Sequence, residues 1–155
     1  MAHPKIGNLA PAFTLQDQNG EKVRLKDLRG KKVVLYFYPR AMTPGCKVQA
    51  CGLRDTQAEL AEHNAVAVGI SPDPVKKLKR FEEKDELNFT LLSDEDHAIA
   101  EKYGVWGLKK FMGKESMGII RTTFIINEDG RLAKIMTKFK TKSHHEDVLA
   151  ELSEL

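Results

Sequence analysis

The stretch YPRAMTPGCKVQAC, residues 38 to 51, contains both cysteines of the chain, Cys46 and Cys51, at a spacing of five. A redox dithiol or half of a zinc site uses Cys-x-x-Cys, and this pair departs from it. Thr43-Pro44 reads as a helix start, with the hydroxyl at the N-cap and proline at the first helical position. Cys46 is then the third helical residue, its sulfur close to unpaired backbone N–H groups at the positive end of the helix dipole. Such a setting favours the thiolate, and the thiolate is the nucleophile. Free cysteine is also common as a small buried hydrophobe. Pro44-Gly45 argues against that reading here, because a Pro-Gly bend just after a buried strand exposes backbone instead of packing it.

The spacing decides what Cys51 can do. Cα atoms five residues apart on a helix lie roughly 8.6 Å apart, with side chains about 140° apart around the axis. A disulfide needs Cα atoms within about 7 Å and facing Cβ vectors. Either Cys51 is inert, or the helix unwinds to let it reach Cys46. Gly52 follows Cys51 directly and costs a helix interior about 1 kcal/mol relative to alanine, which eases opening at that point.

Other chemistries fit less well. A metal would need further ligands from His63, His97, His144 or His145, and no cluster has finger-like spacing, so no metal is expected. Paired His144-His145 at a helix start reads as solvated. Gly45 stands alone with no Gly-Lys-Ser/Thr after it, so no phosphate loop is present.

The elements that position the cysteines alternate along the chain. Ala12 to Gln16 and Lys22 to Leu25 around Asn19-Gly20 predict an N-terminal hairpin. Val33 to Tyr38 is apolar on both faces, the mark of a central strand in a covered sheet. The cysteine helix is expected from Thr43 to about Glu62. Val66 to Ile70 is a second buried strand, and Asp73-Pro74 is read as N-cap and first residue of a charged helix to about Asp85. Phe89 to Leu92 is a short strand; Ser93 is expected to open a helix that Gly104 closes. Trp106 to Met112, with Met117, is read as an apolar loop. Thr122 to Ile126 and Leu132 to Thr137 flank Asn127 to Gly130 as an antiparallel hairpin. Ser143 and Glu146 have capping-box spacing ahead of a last helix carrying Val148, Leu149 and Leu152. This order predicts an α/β fold with a mixed sheet covered by helices on both faces.

With 155 residues, 41% of them hydrophobic, the chain is expected to form one domain over residues 1–155. A net charge of +3, from interleaved 25 basic and 22 acidic residues, reads as a solvated surface rather than a nucleic-acid footprint. The basic runs Lys76 to Arg80 and Lys134 to Lys142 are read as exposed faces. No apolar signal region or membrane-length span is seen, so a cytoplasmic protein with reduced thiols is expected.

Pro39, Thr43 and Cys46, at those intervals, match the active-site pattern of the peroxiredoxins, and Cys51 resembles the resolving cysteine of the bacterioferritin comigratory protein, or Q-type, group. GNLAPAFTLQDQNG, LNFTLLSDEDH, YGVWGLKKFMGK and GIIRTTFIIN extend the similarity over nearly the whole chain. The resemblance implies a thioredoxin-like fold with an added N-terminal hairpin, and thiol-dependent reduction of hydrogen peroxide and organic hydroperoxides in antioxidant defence.

It also implies roles. Cys46 would be the peroxidatic thiolate and Cys51 the resolving thiol, while Thr43 would hydrogen-bond thiolate and peroxide. Pro39 would shield the site, and Arg121 would sit beside the sulfur. Many members place a glutamate at position 49 to bond the active-site arginines; Gln49 here can accept a hydrogen bond but brings no charge. The apolar segment around Trp106 would lie near the active site, as a substrate surface or a part that unfolds with the cysteine helix; a loop tucked on the core is the alternative reading. No flavin, nucleotide or other cofactor is implied. A monomer recycled by thioredoxin or another dithiol is the expectation, with a one-cysteine peroxidase or a non-enzymatic thiol sensor as alternatives.

Overall fold

A computed structural model describes residues 3–155. Its first half comprises β1 (Thr14–Asp17), β2 (Lys22–Arg24), a 3-10 turn (Leu25–Leu28), β3 (Lys32–Phe37), α1 (Pro44–Asp55), α2 (Gln57–Glu62) and β4 (Ala65–Ser71). There follow α3 (Val75–Asp85), β5 (Thr90–Ser93), α4 (Ala98–Lys102), β6 (Trp106–Phe111) and β7 (Lys114–Ile119). The chain ends with β8 (Thr122–Ile126), β9 (Leu132–Met136) and α5 (His144–Leu152).

Seven strands form one mixed sheet in the order β2-β1-β5-β4-β3-β8-β9. β3 is its hub, parallel to β4 and antiparallel to β8, and residues 33 to 38 are at most 1% exposed. Their side chains alternate between faces, as a period of two requires. Val34, Tyr36 and Tyr38 meet Ala50 and Leu53 of α1, Leu78 and Phe81 of α3, and Val148 and Leu152 of α5. Val33, Leu35 and Phe37 meet Ile99 and Ala100 of α4 on the opposite face. Helices therefore cover both faces, and the N-terminal hairpin β1–β2 joins the sheet edge through β5, as expected.

Five local expectations are corrected. The helix predicted over 43–62 breaks at Thr56 (φ −112°, ψ 17°) into α1 and α2. Thr56 Oγ1 donates to the Gly52 carbonyl at 3.0 Å and Gln57 Nε2 to the Leu53 carbonyl at 2.9 Å, so side chains take carbonyls a continuous helix would use. Asp73 is not the N-cap of α3; Pro74 is, and the Asp73 carboxylate turns inward. Ser93 ends β5, and the buried Asp94 carboxylate receives the Ile99 and Ala100 N–H groups at the start of α4. The segment from Trp106 is no loop but a hairpin, β6 paired antiparallel with β7 in a sheet of its own. It projects Leu108, Met112 and Met117 into solvent, while Trp106 and Ile119 at its base pack on the core.

The fifth correction concerns α5. Ser143 stands at its N-cap but makes no side-chain cap bond, and His144 is fully buried rather than solvated. Its Nε2 meets Thr123 Oγ1 at 2.8 Å, and its ring packs on Tyr36 and Phe139. A hydroxyl partner inside the core outcompetes water for this imidazole. Among the described residues, no helix is long and apolar enough to cross a membrane.

Candidate active site

β3 delivers the chain into the N-terminus of α1. Because β8 runs antiparallel to β3, with Phe37 opposite Thr122, the residue before β8 arrives where β3 ends. That residue is Arg121. The topology thus joins two segments 75 positions apart in sequence.

Cys46 sits in the first turn of α1 and is 1% exposed. The first helical bond runs from the Lys47 N–H to the Thr43 carbonyl at 2.8 Å, so the amides of Gly45 and Cys46 precede the ladder. Arg121 donates from Nη2 to the Cys46 sulfur at 3.1 Å and from Nη1 to Gln49 Oε1 at 2.9 Å. A guanidinium stays charged at any working pH and offers several donors in a fixed plane, so it can hold a sulfur and a second acceptor together. Gln49 therefore bonds the arginine without a carboxylate's charge. Its side chain is fully buried, and its Nε2 has no hydrogen-bond partner.

Thr43 is the N-cap residue of α1, but its hydroxyl donates to the Arg40 carbonyl at 2.9 Å rather than to a helix amide or the sulfur. The single hydroxyl proton is committed there, and the lone pairs remain free to accept. Pro39, half-buried, follows the buried Tyr38 and borders a groove of about 440 Å³ shared with Pro72, Trp106, Lys109, Met117 and Ile119. Cys51 is partly exposed, and its thiol is free like that of Cys46. Both lie within the unbroken α1, so the structure joins Cys46 to Arg121 and Gln49 while keeping Cys51 a helical turn and more away.

Two supporting residues escaped the sequence reading. Asp73 accepts the Ala41 N–H at 2.7 Å and the Ser71 hydroxyl at 2.8 Å, with Lys77 Nζ at 3.3 Å. It ties the loop after β4 to the loop after β3, in which Met42 holds a left-handed φ of 66°. The signal was available: parallel neighbours end side by side, so their following loops must touch. Lys109 donates to the Ile119 carbonyl at 2.8 Å. Burial, and then the Arg121 charge, hold its ammonium below the usual lysine range. Its position in a hairpin read as a loop gave no such signal. Among the described residues, no three His, Cys, Asp or Glu side chains gather to hold a metal ion.

Comparison with known proteins shows the family. The sequence profile of the AhpC/TSA family matches residues 6–135. The peroxiredoxin Bcp of Escherichia coli (strain K12) is 55% identical over 150 residues, 97% of this chain and 96% of that protein. The crystal structure of the peroxidoxin BcpB from Mycobacterium tuberculosis superposes with a TM-score of 0.87 at 40% identity over 99% of each chain. A structure of the Xanthomonas campestris bacterioferritin comigratory protein, described in terms of its alkyl peroxide reduction activity, superposes with a TM-score of 0.86 at 31% identity, covering 92% of this chain and 90% of that one. With a thioredoxin-like fold that these structures share and a relative of this identity over nearly its full length, the chain belongs to the AhpC/TSA family and, within it, to the Bcp peroxiredoxins, which are thiol peroxidases.

Proposed function

We propose that this chain acts as one catalytic domain that reduces hydrogen peroxide and organic hydroperoxides through Cys46 and Cys51. The Arg121 donor 3.1 Å from the Cys46 sulfur is the observation that carries the reading. In the first step the Cys46 thiolate attacks one peroxide oxygen, the O–O bond breaks, and the departing oxygen takes a proton. The products are Cys46 sulfenic acid and water or an alcohol. Negative charge grows on the departing oxygen, and a donor already fixed at the site stabilises it without reorganising. Arg121 supplies that donor, and Thr43 accepts a hydrogen bond from the peroxide through its free lone pairs. Pro39 shields the sulfur from bulk water. The groove beside Pro39 gives the carbon chain of an organic hydroperoxide an apolar wall in Trp106, Met117 and Ile119.

In the second step the Cys51 thiol condenses with the sulfenic acid, forming the disulfide and releasing water. Helical geometry keeps the two Cα atoms roughly 8.6 Å apart, so α1 unwinds first. A dithiol, thioredoxin by likeness to the group, then reduces the disulfide by exchange. The working form is a monomer in the reducing cytoplasm.

Intact mass after one equivalent of hydrogen peroxide tests the cycle. Wild type is expected to lose two hydrogens, Cys51→Ser to gain one oxygen, and Cys46→Ser not to react rapidly; thioredoxin, its reductase and NADPH should then sustain turnover. A wild-type protein that gains one oxygen and stops there would leave Cys51 outside the cycle.

A further inference from the structure

α5 lies against α1 at the end that carries Cys51. His144, the first residue of α5, is locked in the core by Thr123, Tyr36 and Phe139, and this fixes where the next side chain goes. The His145 ring rests on the backbone of Gly52. A Cβ added at Gly52 would collide with His145 Nδ1 and stand 3.0 Å from Cγ and 3.2 Å from Cε1. His145 Nδ1 is itself buried without a hydrogen-bond partner, and Nε2 lies 3.8 Å from Glu146 Oε1, beyond hydrogen-bond reach, so packing seats the ring.

Just beyond Gly52 the helix is tied down. Leu53 is fully buried, Arg54 Nη1 donates to the Asp85 carbonyl at 2.7 Å, and Thr56 and Gln57 take the Gly52 and Leu53 carbonyls. Unwinding that brings Cys51 towards Cys46 therefore has to act on the stretch from Cys46 to Gly52, where the imidazole sits on the bare backbone.

Resting on the reading that Cys51 resolves Cys46, we propose that His145 is a positioning residue for the resolving step: its ring holds the Cys51 turn helical and has to leave Gly52 before the disulfide forms. His145 thereby sets how long the sulfenic acid persists, without touching the peroxide. The covalent step is unchanged: the S–S bond forms, the S–O bond of the sulfenic acid breaks, and the Cys51 proton leaves in water.

Reduced wild type, His145→Ala, His145→Phe and Cys51→Ser would be mixed with hydrogen peroxide, quenched by acid at intervals, alkylated and weighed intact. This separates sulfenic acid formation from disulfide formation. His145→Ala should form the disulfide roughly threefold to tenfold faster than wild type, the span that a typical packing loss converts to. It should form the sulfenic acid at the wild-type rate and resist overoxidation to the sulfinic acid at correspondingly higher peroxide. His145→Phe keeps a ring on Gly52 and should resolve like wild type. Should His145→Ala fail to fold, His145→Ser carries the same expectation. Disulfide formation at or below the wild-type rate in the ring-less variant would overturn the proposal while leaving Cys51 as the resolving thiol. Absence of any Cys46–Cys51 disulfide in wild type would instead remove the resolving reading, and this proposal with it.

Discussion

The guanidinium of Arg121 reaches the Cys46 sulfur from the start of β8 and donates to it across 3.1 Å. The same group is steadied by Gln49, one turn along α1 from Cys46. Removing the donor should cost the peroxide step more than it costs folding. Arg121→Gln is expected to slow sulfenic acid formation about 10²-fold to 10³-fold, the usual effect of losing one fixed donor at a developing oxyanion. Arg121→Lys keeps the charge but not the planar fork, and should fall between the two. Gln49→Ala should lose less than Arg121→Gln, because the donor survives and only its support is gone. Competition for peroxide against a second peroxidase of known rate measures all three; an Arg121→Gln rate within a few-fold of wild type would contradict this role.

Thr43 makes a different prediction from the one its N-cap position suggests. Its hydroxyl is bonded to the Arg40 carbonyl, so in the proposed mechanism it is left to serve the peroxide as an acceptor. Thr43→Val should slow the peroxide step about tenfold to a hundredfold, the rate equivalent of one hydrogen bond at a charged centre. Thr43→Ser should stay close to wild type. Equal rates for the valine and serine variants would show that the hydroxyl plays no part.

Gly45 leaves room for Arg121. A Cβ there would stand 3.0 Å from Arg121 Nη2, tighter than ordinary van der Waals contact. The backbone needs no left-handed conformation at this glycine, so Gly45→Ala should fold and push the guanidinium aside. A fall in peroxide rate with an unchanged unfolding midpoint is the expected pattern. Unchanged kinetics would show that Arg121 can shift without loss.

The opening motif was legible in sequence because it is local: a buried strand, a Thr-Pro helix start and a cysteine in the first turn are all read within a dozen residues. The mixed sheet covered on both faces followed from the alternation of apolar strands with charged helices, while the strand order came only with the structure. What stayed hidden depends on partners distant in sequence. Asp73 carries a side chain suited to an N-cap, yet the Ala41 N–H, 32 residues away, claims its carboxylate. Arg121 carries no local signal, and only the family resemblance set it beside the sulfur, 75 positions from its partner. The hairpin β6–β7 was missed because Leu108, Met112 and Met117 face solvent, which blurs the alternation that marks a half-buried strand.

Asp73 should matter for both stability and rate. Asp73→Ala leaves the buried Ala41 N–H without its acceptor, a loss of about 1–3 kcal/mol. It also frees the loop carrying Pro39 and Thr43, so peroxide reduction should slow as well. Urea unfolding and the competition assay together check this. A variant with the wild-type midpoint would mean that another group replaces the carboxylate.

His144 links stability to pH. Burial, followed by the charges of His145 and Arg121, lowers its pKa from 6.5 to about 3. Its ring also faces Thr123, Tyr36 and Phe139, none of which supplies a negative charge to hold the imidazolium. Above the unfolded value both states leave it neutral, and it adds no pH dependence. As pH falls below about 6.5 the unfolded chain takes a proton that the folded protein refuses, so stability drops by about 1.4 kcal/mol per pH unit from this group. The loss continues until the folded form also takes the proton near pH 3. His144→Gln keeps a polar partner for Thr123 and removes the titration. It should be less stable than wild type at pH 7, with the gap narrowing steadily between pH 6 and pH 4.5. Urea unfolding of both proteins across that range cancels the carboxylates they share. A gap that stays constant with pH would show that His144 takes its proton equally well in the folded and unfolded chain.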